Sequence, residues 1–162
     1  MEKIQVSDFA FVNELVNTEG WLAFIGDRNV HSDEQAKTYI SKTLENNNIQ
    51  YWVARVKPDL LPAGIVSLVR RDYLPCRDIG FAFLPRFMKM GFAYEAVNAL
   101  LHVLQPCNNS DTILAITSKA NTPSIRLLEK LKFMYQKDIE HEGKFIQVYE
   151  KALHEKARSG GN

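Results

Sequence analysis

The residues whose types and spacing suggest chemistry lie around Gly91. Asp78-Ile-Gly-Phe-Ala-Phe-Leu84 is apolar, Pro85-Arg-Phe-Met-Lys-Met-Gly91 turns the chain, and a helical period begins at Phe92. A strand that turns through a short loop into a helix leaves the first helical N–H groups unpaired. Those donors, with the positive end of the helix dipole, favour a phosphate. Gly91 lets the backbone approach such a group, and Arg86 and Lys89 add positive charge nearby. Strand, turn and helix also occur throughout α/β proteins, so an anion or cofactor site and a plain structural turn both stay open from this stretch alone. Other candidates are scattered: the carboxylates Asp72 and Asp78 beside predicted strands, and His31, His102 and His141 near caps, a polar stripe and a turn. Cys76 and Cys107 are too few for a disulfide framework and lack metal-ligand spacing, so no metal is expected.

The elements that must position these residues can be read in chain order. Ser7-Asp8 can cap a helix running to about Asn17. Ser32-Asp-Glu-Gln35 is a capping box for a second helix, with Ala36, Tyr39, Ile40, Thr43 and Leu44 inward. Ile49–Val56, Gly64–Val69 and Asp78–Leu84 read as three strands joined by short turns, which implies an antiparallel meander. The helix from Phe92 to Leu104 has Phe92, Ala96, Leu100 and Leu104 in one apolar row, with Ala93, Val97 and Leu101 beside it. Glu95, Asn98, His102 and Gln105 lie opposite. Thr112–Thr117 is a continuous apolar strand, so strand, helix and strand from Asp78 to Thr117 form a crossover that requires local parallel pairing. Asn121-Thr-Pro-Ser124 opens a further helix, with Asn121 at the cap, Pro123 in the first turn, and Ile125, Leu128 and Leu131 inward. Phe133–Ile139 and Phe145–Glu150 close the sheet as a hairpin through Glu142-Gly143. The tail from Ala152 to Asn162 is expected to fray.

Composition narrows the class. A chain of 162 residues is long enough for one well-buried domain, expected here over residues 1–151. Twenty Lys and Arg against 19 acidic residues give no field that would draw nucleic acid or an anionic membrane. No apolar run approaches the roughly 20 residues of a bilayer span, and Met-Glu-Lys-Ile-Gln lacks the apolar segment of a signal peptide. With so few cysteines, a cytoplasmic home is expected.

Two motifs, in this order and separation, carry a resemblance that covers the chain from about Ser7 to Glu150. Gly91-Phe-Ala-Tyr-Glu-Ala96 is similar to the pyrophosphate loop and following helix of the GNAT superfamily of acyl-CoA N-acyltransferases. Asn121-Thr-Pro-Ser-Ile-Arg-Leu-Leu-Glu-Lys-Leu-Lys-Phe133 is similar to that family's second coenzyme A motif. The chain looks most like the RimJ/RimL-like branch. The resemblance implies an α/β (α+β) fold: a mixed, mainly antiparallel sheet with helices on both faces and a parallel β-α-β crossover at the cofactor site. It implies acetyl-CoA as co-substrate and an amine acceptor, either a protein N-terminus or a small molecule, and it allows a homodimer. Backbone groups of Phe81, Ala82 and Phe83 would pair with the pantetheine arm as a further strand. The N–H groups of Met88, Lys89, Met90, Gly91, Phe92 and Ala93 would cradle the pyrophosphate. Asn121 would hydrogen-bond the pantetheine, and Ser124 would lie close to the sulfur.

The chain departs from the family pattern at several points. Met88 stands where Arg or Gln is usual, and Lys89 and Lys132 stand where Gly is usual. Leu128 occupies the position at which many members carry a tyrosine acid, and the N-terminal strand is shortened. Lys132 would have to take the left-handed conformation that closes the helix, at a cost of about 1 kcal/mol. If acetyl-CoA binds, an amine attacks the thioester, and most of the catalysis comes from positioning and a main-chain donor on the oxyanion. Ser124 could protonate the leaving thiolate or serve only the helix start, and Asn121 could be only a cap. Asp72 or Asp78 could be the base or an ordinary turn carboxylate. Tyr94 is expected to pack, while Trp21, Phe24 and Trp52 could line an acceptor pocket or fill the core. Acceptor choice is expected to lie in the Trp21–Thr43 segment and the Glu140–Lys144 turn. The alternative to an enzyme is a non-catalytic acyl-CoA-binding module.

Overall fold

A computed structural model describes residues 1–104 and 111–153. The expected fraying beyond Leu153, and the readings at Gln105, Cys107 and Ser110, lie outside the described residues. Among the described residues seven strands form a single sheet: β1 (Glu2–Lys3), β2 (Ile49–Val56), β3 (Leu61–Val69), β4 (Asp78–Phe83), β5 (Thr112–Thr117), β6 (Met134–His141) and β7 (Lys144–Ala152). Their spatial order is β1-β2-β3-β4-β5-β7-β6, antiparallel throughout except for β4 against β5. The helices are α1 (Phe9–Val16), α2 (Glu19–Phe24), α3 (Asp33–Glu45), α4 (Phe92–Val103) and α5 (Thr122–Lys130). The expected mixed sheet with one crossover is therefore present.

Strand alternation divides the core in two. Ile79, Phe81 and Phe83 of β4 join Val66, Leu68, Ile113 and Ala115 beneath α4 and α5, with Ala96, Val97, Leu100, Leu101, Leu128 and Leu131 above them. On the other face Ala82 joins Val53 and Ile65 beneath α1 and α3, where Phe11, Val12, Leu15, Val16, Ala36 and Ile40 are buried. The helical periods read from the sequence thus bury the rows they predict. Leu44 is an exception: it is 51% exposed on the last turn of α3.

Local differences from the sequence reading have local causes. Ser7-Asp8 is a short 3₁₀ turn at Val6–Asp8 before α1, and the Asp8 carboxylate makes no side-chain cap bond. Instead it accepts from the Gln5 N–H (2.9 Å) and from Arg55 Nη2 on β2 (2.5 Å), an ion pair that ties the first helix to the sheet. The capping box at Ser32 forms, with the Gln35 N–H donating to Ser32 Oγ (3.2 Å). The Gln35 side chain, however, accepts from the His31 N–H (2.7 Å), one residue earlier than the usual pattern. β3 begins at Leu61, three residues early, because a register shift at Ala54/Arg55 lets Leu61 and Pro62 pair with β2. β1 has two residues, the shortening expected.

Candidate active site

The site is built where β4 and β5 part. The Leu114 N–H donates to the Arg77 carbonyl (3.0 Å), and the two strands are in register only at Asp78↔Leu114. Beyond that point β5 stays paired with β7 through Thr117, and β4 stays paired with β3 through Phe83. The Leu84 N–H donates to the Ala63 carbonyl (2.8 Å), so even-numbered residues of β4 direct their main-chain groups to β3. The odd ones, Phe81 and Phe83, direct theirs into the gap, where no strand pairs with them among the described residues. Ala82 is thereby removed from the expected trio, since its N–H and C=O belong to the β3 ladder. Phe83 is seated by Gly64 opposite it. A Cβ on Gly64 would lie 2.4 Å from the Phe83 ring, so only glycine lets that ring lie flat on β3.

The gap leads to the turn before α4. Pro85–Phe87 is a 3₁₀ turn, and the Met88 N–H donates back to the Pro85 carbonyl (3.2 Å), which takes Met88 out of the expected cradle of donors. Lys89 and Gly91 then both adopt left-handed backbone conformations (φ 60° and 84°), a pattern that curls successive N–H groups toward one side. α4's first main-chain bond runs from the Glu95 N–H to the Gly91 carbonyl (3.0 Å), which leaves the donors of Gly91, Phe92, Ala93 and Tyr94 outside the helical ladder. Apart from Gly91 itself and its chain neighbours, no described atom lies within 4 Å of where a Gly91 Cβ would stand. Met88, Lys89 and Met90 are exposed around this turn. Arg86 does not add a free charge: its guanidinium forks onto the Glu14 carboxylate of α1 and lies over the Phe87 ring (5.3 Å). That hydrogen bond holds the Glu14 carboxyl below its usual range.

The second motif follows β5. Asn121 caps α5 as expected, its Oδ1 accepting from the Ser124 N–H (3.3 Å), so its amide NH₂ is not used in capping. Ser124 is half-buried in the first turn. α5 closes with the Phe133 N–H donating to the Leu128 carbonyl and the Lys132 N–H to the Glu129 carbonyl, both at 2.9 Å. This is a Schellman motif, and Lys132 takes the left-handed position (φ 67°) that Gly would usually hold. Leu128 is 1% exposed and packs with Phe133 in the α4–α5 core, so this position supplies no proton donor to the gap. Tyr94 packs too, with Lys130 Nζ 4.7 Å from its ring centre.

The carboxylates are placed apart from Ser124. Asp78 stands at the closed end of the gap, whereas Ser124 follows Thr117, three residues and about 10 Å further along β5. Asp78 is 2% exposed and accepts from Arg71 Nε (2.7 Å) and Nη2 (3.4 Å). Burial pushes its carboxyl above the ordinary carboxylate range, and Arg71 opposes that shift. Asp72 is exposed in the β3–β4 turn. The structure joins that turn to the β6–β7 turn: the Tyr73 ring stacks on His141 at 3.8 Å, and Arg71 lies 6.0 Å from the Tyr73 ring centre. Trp52 packs on the α4–α5 side and Trp21 is buried under α1 and α3, whereas Phe24 is 43% exposed. His31 approaches Asp27 (3.8 Å) and His102 approaches Asn98 (3.3 Å), both at the surface. Among the described residues, no group of three or more His, Cys, Asp or Glu could hold a metal, and no helix is long and apolar enough to cross a membrane.

Comparison with known proteins gives this geometry a family. The model of the acetyltransferase (GNAT) domain matches residues 1–134. An uncharacterized N-acetyltransferase of Bacillus subtilis (strain 168), YnaD, is 25% identical over 131 residues, covering 81% of this chain and 76% of the relative. The structure of AAC(6')-Ib with paromomycin and acetyl-CoA superposes with a TM-score of 0.78 at 18% identity, covering 99% of this chain and 97% of that one. The spermidine N-acetyltransferase of Vibrio cholerae, in complex with CoA and spermine, superposes with a TM-score of 0.76 at 16% identity, covering 94% of each chain. With a family model spanning most of its length, a sheet that opens between β4 and β5 and a donor-rich turn at the mouth of that opening, the chain belongs to the GNAT acetyltransferases and uses acetyl-CoA as its co-substrate.

Proposed function

We propose that the chain moves the acetyl group of acetyl-CoA to a primary amine by direct attack, with the cofactor laid in the gap between β4 and β5. The observation that carries this reading is the unpaired inner edge of β4, from Phe81 to Phe83, which runs into the exposed donors at the start of α4. An amide-containing arm can pair with Phe81 and Phe83 as a strand would. The diphosphate then meets the N–H groups from Lys89 to Ala93 at the positive end of the α4 dipole. The side-chain NH₂ of Asn121, which its capping of α5 leaves unused, donates to the arm.

In the reaction the amine nitrogen attacks the thioester carbonyl. A C–N bond forms, the oxyanion takes a hydrogen bond from a main-chain N–H on the β4 edge, and the C–S bond breaks. The thiolate gains a proton, for which Ser124 is the proposed donor. The attacking nitrogen, cationic once the C–N bond has formed, loses a proton to water or to Asp72, the exposed carboxylate of the β3–β4 turn. Asp78, clasped by Arg71, fits a positioning role better than that of a mobile base. Most of the acceleration then comes from holding the reactants together, a contribution worth up to about 7–11 kcal/mol in well-oriented systems.

The acceptor is a protein N-terminus or a small amine. The RimJ/RimL-like branch supports the former, while the spermine and aminoglycoside complexes of the structural neighbours support the latter. A homodimer is part of the same reading, supported by the open β6 edge with Met134 and Tyr135 exposed; sedimentation at two concentrations tests it. The function is tested by comparing acetyl-CoA with ATP and NAD in a thermal-shift titration, then measuring CoA release over a panel of peptides and amines. Stabilisation by acetyl-CoA with turnover is the expected result. Binding without turnover would favour a non-catalytic acyl-CoA-binding module, in line with Leu128 in place of a phenol.

A further inference from the structure

The face of the sheet opposite α4 and α5 carries a half-open row leading to the point where β4 and β5 part. Tyr51 of β2 is in register with Ser67 of β3, and Ser67 with Gly80 of β4. All three are half-buried, whereas the next row on the same face, Val53 and Ile65, is sealed by α1 and α3 at 0% and 3% exposure. Gly80 is two residues beyond the closed end of the gap at Asp78 and immediately before Phe81. It offers no side chain there, and Ser67 Oγ leans so close that a Cβ on Gly80 would stand 2.6 Å from it. At the far end of the row the Tyr51 hydroxyl meets the Tyr39 hydroxyl of α3 at 3.1 Å. Burial, and then Tyr51, push the Tyr39 hydroxyl upward, while Arg28 in the segment between α2 and α3 acts on it in the opposite sense, which puts its guanidinium in the neighbourhood of that hydroxyl.

The charges around this row are unequally committed. Asp78, on the same face of β4 as Gly80, is held by Arg71, and Asp27 turns to His31 (3.8 Å). Arg28 has no carboxylate within 4.0 Å among the described residues. An exposed guanidinium beside two hydroxyls is a donor set for an oxyanion, because it offers planar paired N–H groups that carboxylates and phosphates match. From Tyr51 to Gly80 is two strand spacings, about 10 Å.

We propose that the acceptor is an amine that also carries an oxyanion, a carboxylate or a phosphate, roughly 10 Å from the reacting nitrogen. Its oxyanion is held by Arg28 and the Tyr39–Tyr51 hydroxyls, and its amine lies over Ser67 and Gly80 at the thioester. This rests on the acetyl-CoA reading above and deepens it by naming the acceptor class. It sets the chain apart from a polyamine acetyltransferase, whose cationic acceptor would meet an unpaired guanidinium.

The experiment compares kcat/KM for matched acceptors of equal length that end in a carboxylate, a phosphate, an alcohol or a second amine, using the wild type, Arg28→Gln and Tyr51→Phe. Acetyl-CoA affinity is measured by calorimetry for each protein. The wild type should favour an anionic acceptor over the diamine at least tenfold. Arg28→Gln should raise KM for it about tenfold while the Kd for acetyl-CoA stays that of the wild type, and Tyr51→Phe should shift KM in the same direction. The carboxylate and phosphate arms show which oxyanion is preferred. A wild-type preference for the diamine, equal rates for all acceptors, no turnover of any anionic amine, or an unchanged preference in Arg28→Gln would overturn the proposal. If acetyl-CoA itself failed to bind, the acetyltransferase reading would fall first and this one with it. Normal acetyl-CoA binding with any of the adverse acceptor results would overturn the acceptor class alone.

Discussion

The two faces of the β4–β5 gap are made from different materials. On the α4–α5 side the groups proposed to hold the cofactor are main-chain: the inner edge of Phe81 and Phe83 and the donors from Lys89 to Ala93. On the opposite face the proposed groups are side chains brought together from distant parts of the chain: Arg28, Tyr39, Tyr51, Ser67 and the Arg71–Asp78 pair. A site built of backbone depends on conformation and tolerates changes of side chain, which is why Met88, Lys89 and Lys132 can depart from the family pattern and leave the path of the chain intact. A site built of side chains depends on each residue. The proposed cofactor side should therefore tolerate side-chain changes that the proposed acceptor face does not.

Mutations can break or sharpen this contrast, and the largest effect is expected on the acceptor face. Arg71→Met strands the buried Asp78 carboxylate and should lower stability at pH 7 by about 3–5 kcal/mol, measured by urea unfolding. The sign with pH follows from burial, which already raises the folded-state Asp78 carboxyl above its usual range. In the variant this shift grows. A raised carboxyl contributes stability below its unfolded pKa and loses it as pH rises through the folded value, so the deficit should shrink on acidification toward pH 4. A deficit independent of pH would show that the pair is not what Asp78 needs.

On the cofactor face, Gly91→Val combines a strained left-handed residue with a side chain in the space now open before α4. Its Kd for acetyl-CoA should rise at least tenfold, about 1.4 kcal/mol, by calorimetry. Near-normal affinity would mean that the loop has been misassigned. Ser124→Ala should lower kcat several-fold and move the acetyl-CoA Kd less, a loss of about 1 kcal/mol in the transition state. Equal losses would reduce Ser124 to a helix-start residue. The smallest effect is a gain: Lys132→Gly should raise stability by up to about 1 kcal/mol, because φ 67° no longer has to accommodate a side chain, and should leave acetyl-CoA affinity unchanged.

The contrast also explains what could be read before the fold was known. α4 and α5 follow from 3.6-residue periods and from Gly91, Asn121 and Pro123, all signals contained in a dozen neighbouring residues, and the cofactor face depends on little else. The reach of individual groups within it needed structure. Arg86 looks like a spare cation until α1 places Glu14 beside it, and Ala82 looks equivalent to Phe81 until the β3 register claims its amides. The acceptor face left almost no local trace, because Tyr51, Ser67 and Gly80 become neighbours only through two strand registers. Likewise Tyr73 meets His141 across 68 residues of chain. The Trp21–Thr43 segment and the Glu140–Lys144 turn were legible as regions of interest; the first holds Arg28 and Tyr39 of the proposed oxyanion site, and the second includes His141, which stacks on Tyr73. The partners of these residues were not legible.

The central claim is that unpaired main-chain donors at the start of α4 grip the diphosphate of the cofactor. Calorimetric titration with acetyl-CoA and with S-acetylpantetheine, which lacks the diphosphate, tests it most directly in the wild type and in Gly91→Val. The wild type should bind acetyl-CoA at least tenfold more tightly, and Gly91→Val should lose acetyl-CoA affinity while holding S-acetylpantetheine as before. Equal affinity for the two ligands in the wild type, or a Gly91→Val defect of the same size for both, would contradict the account.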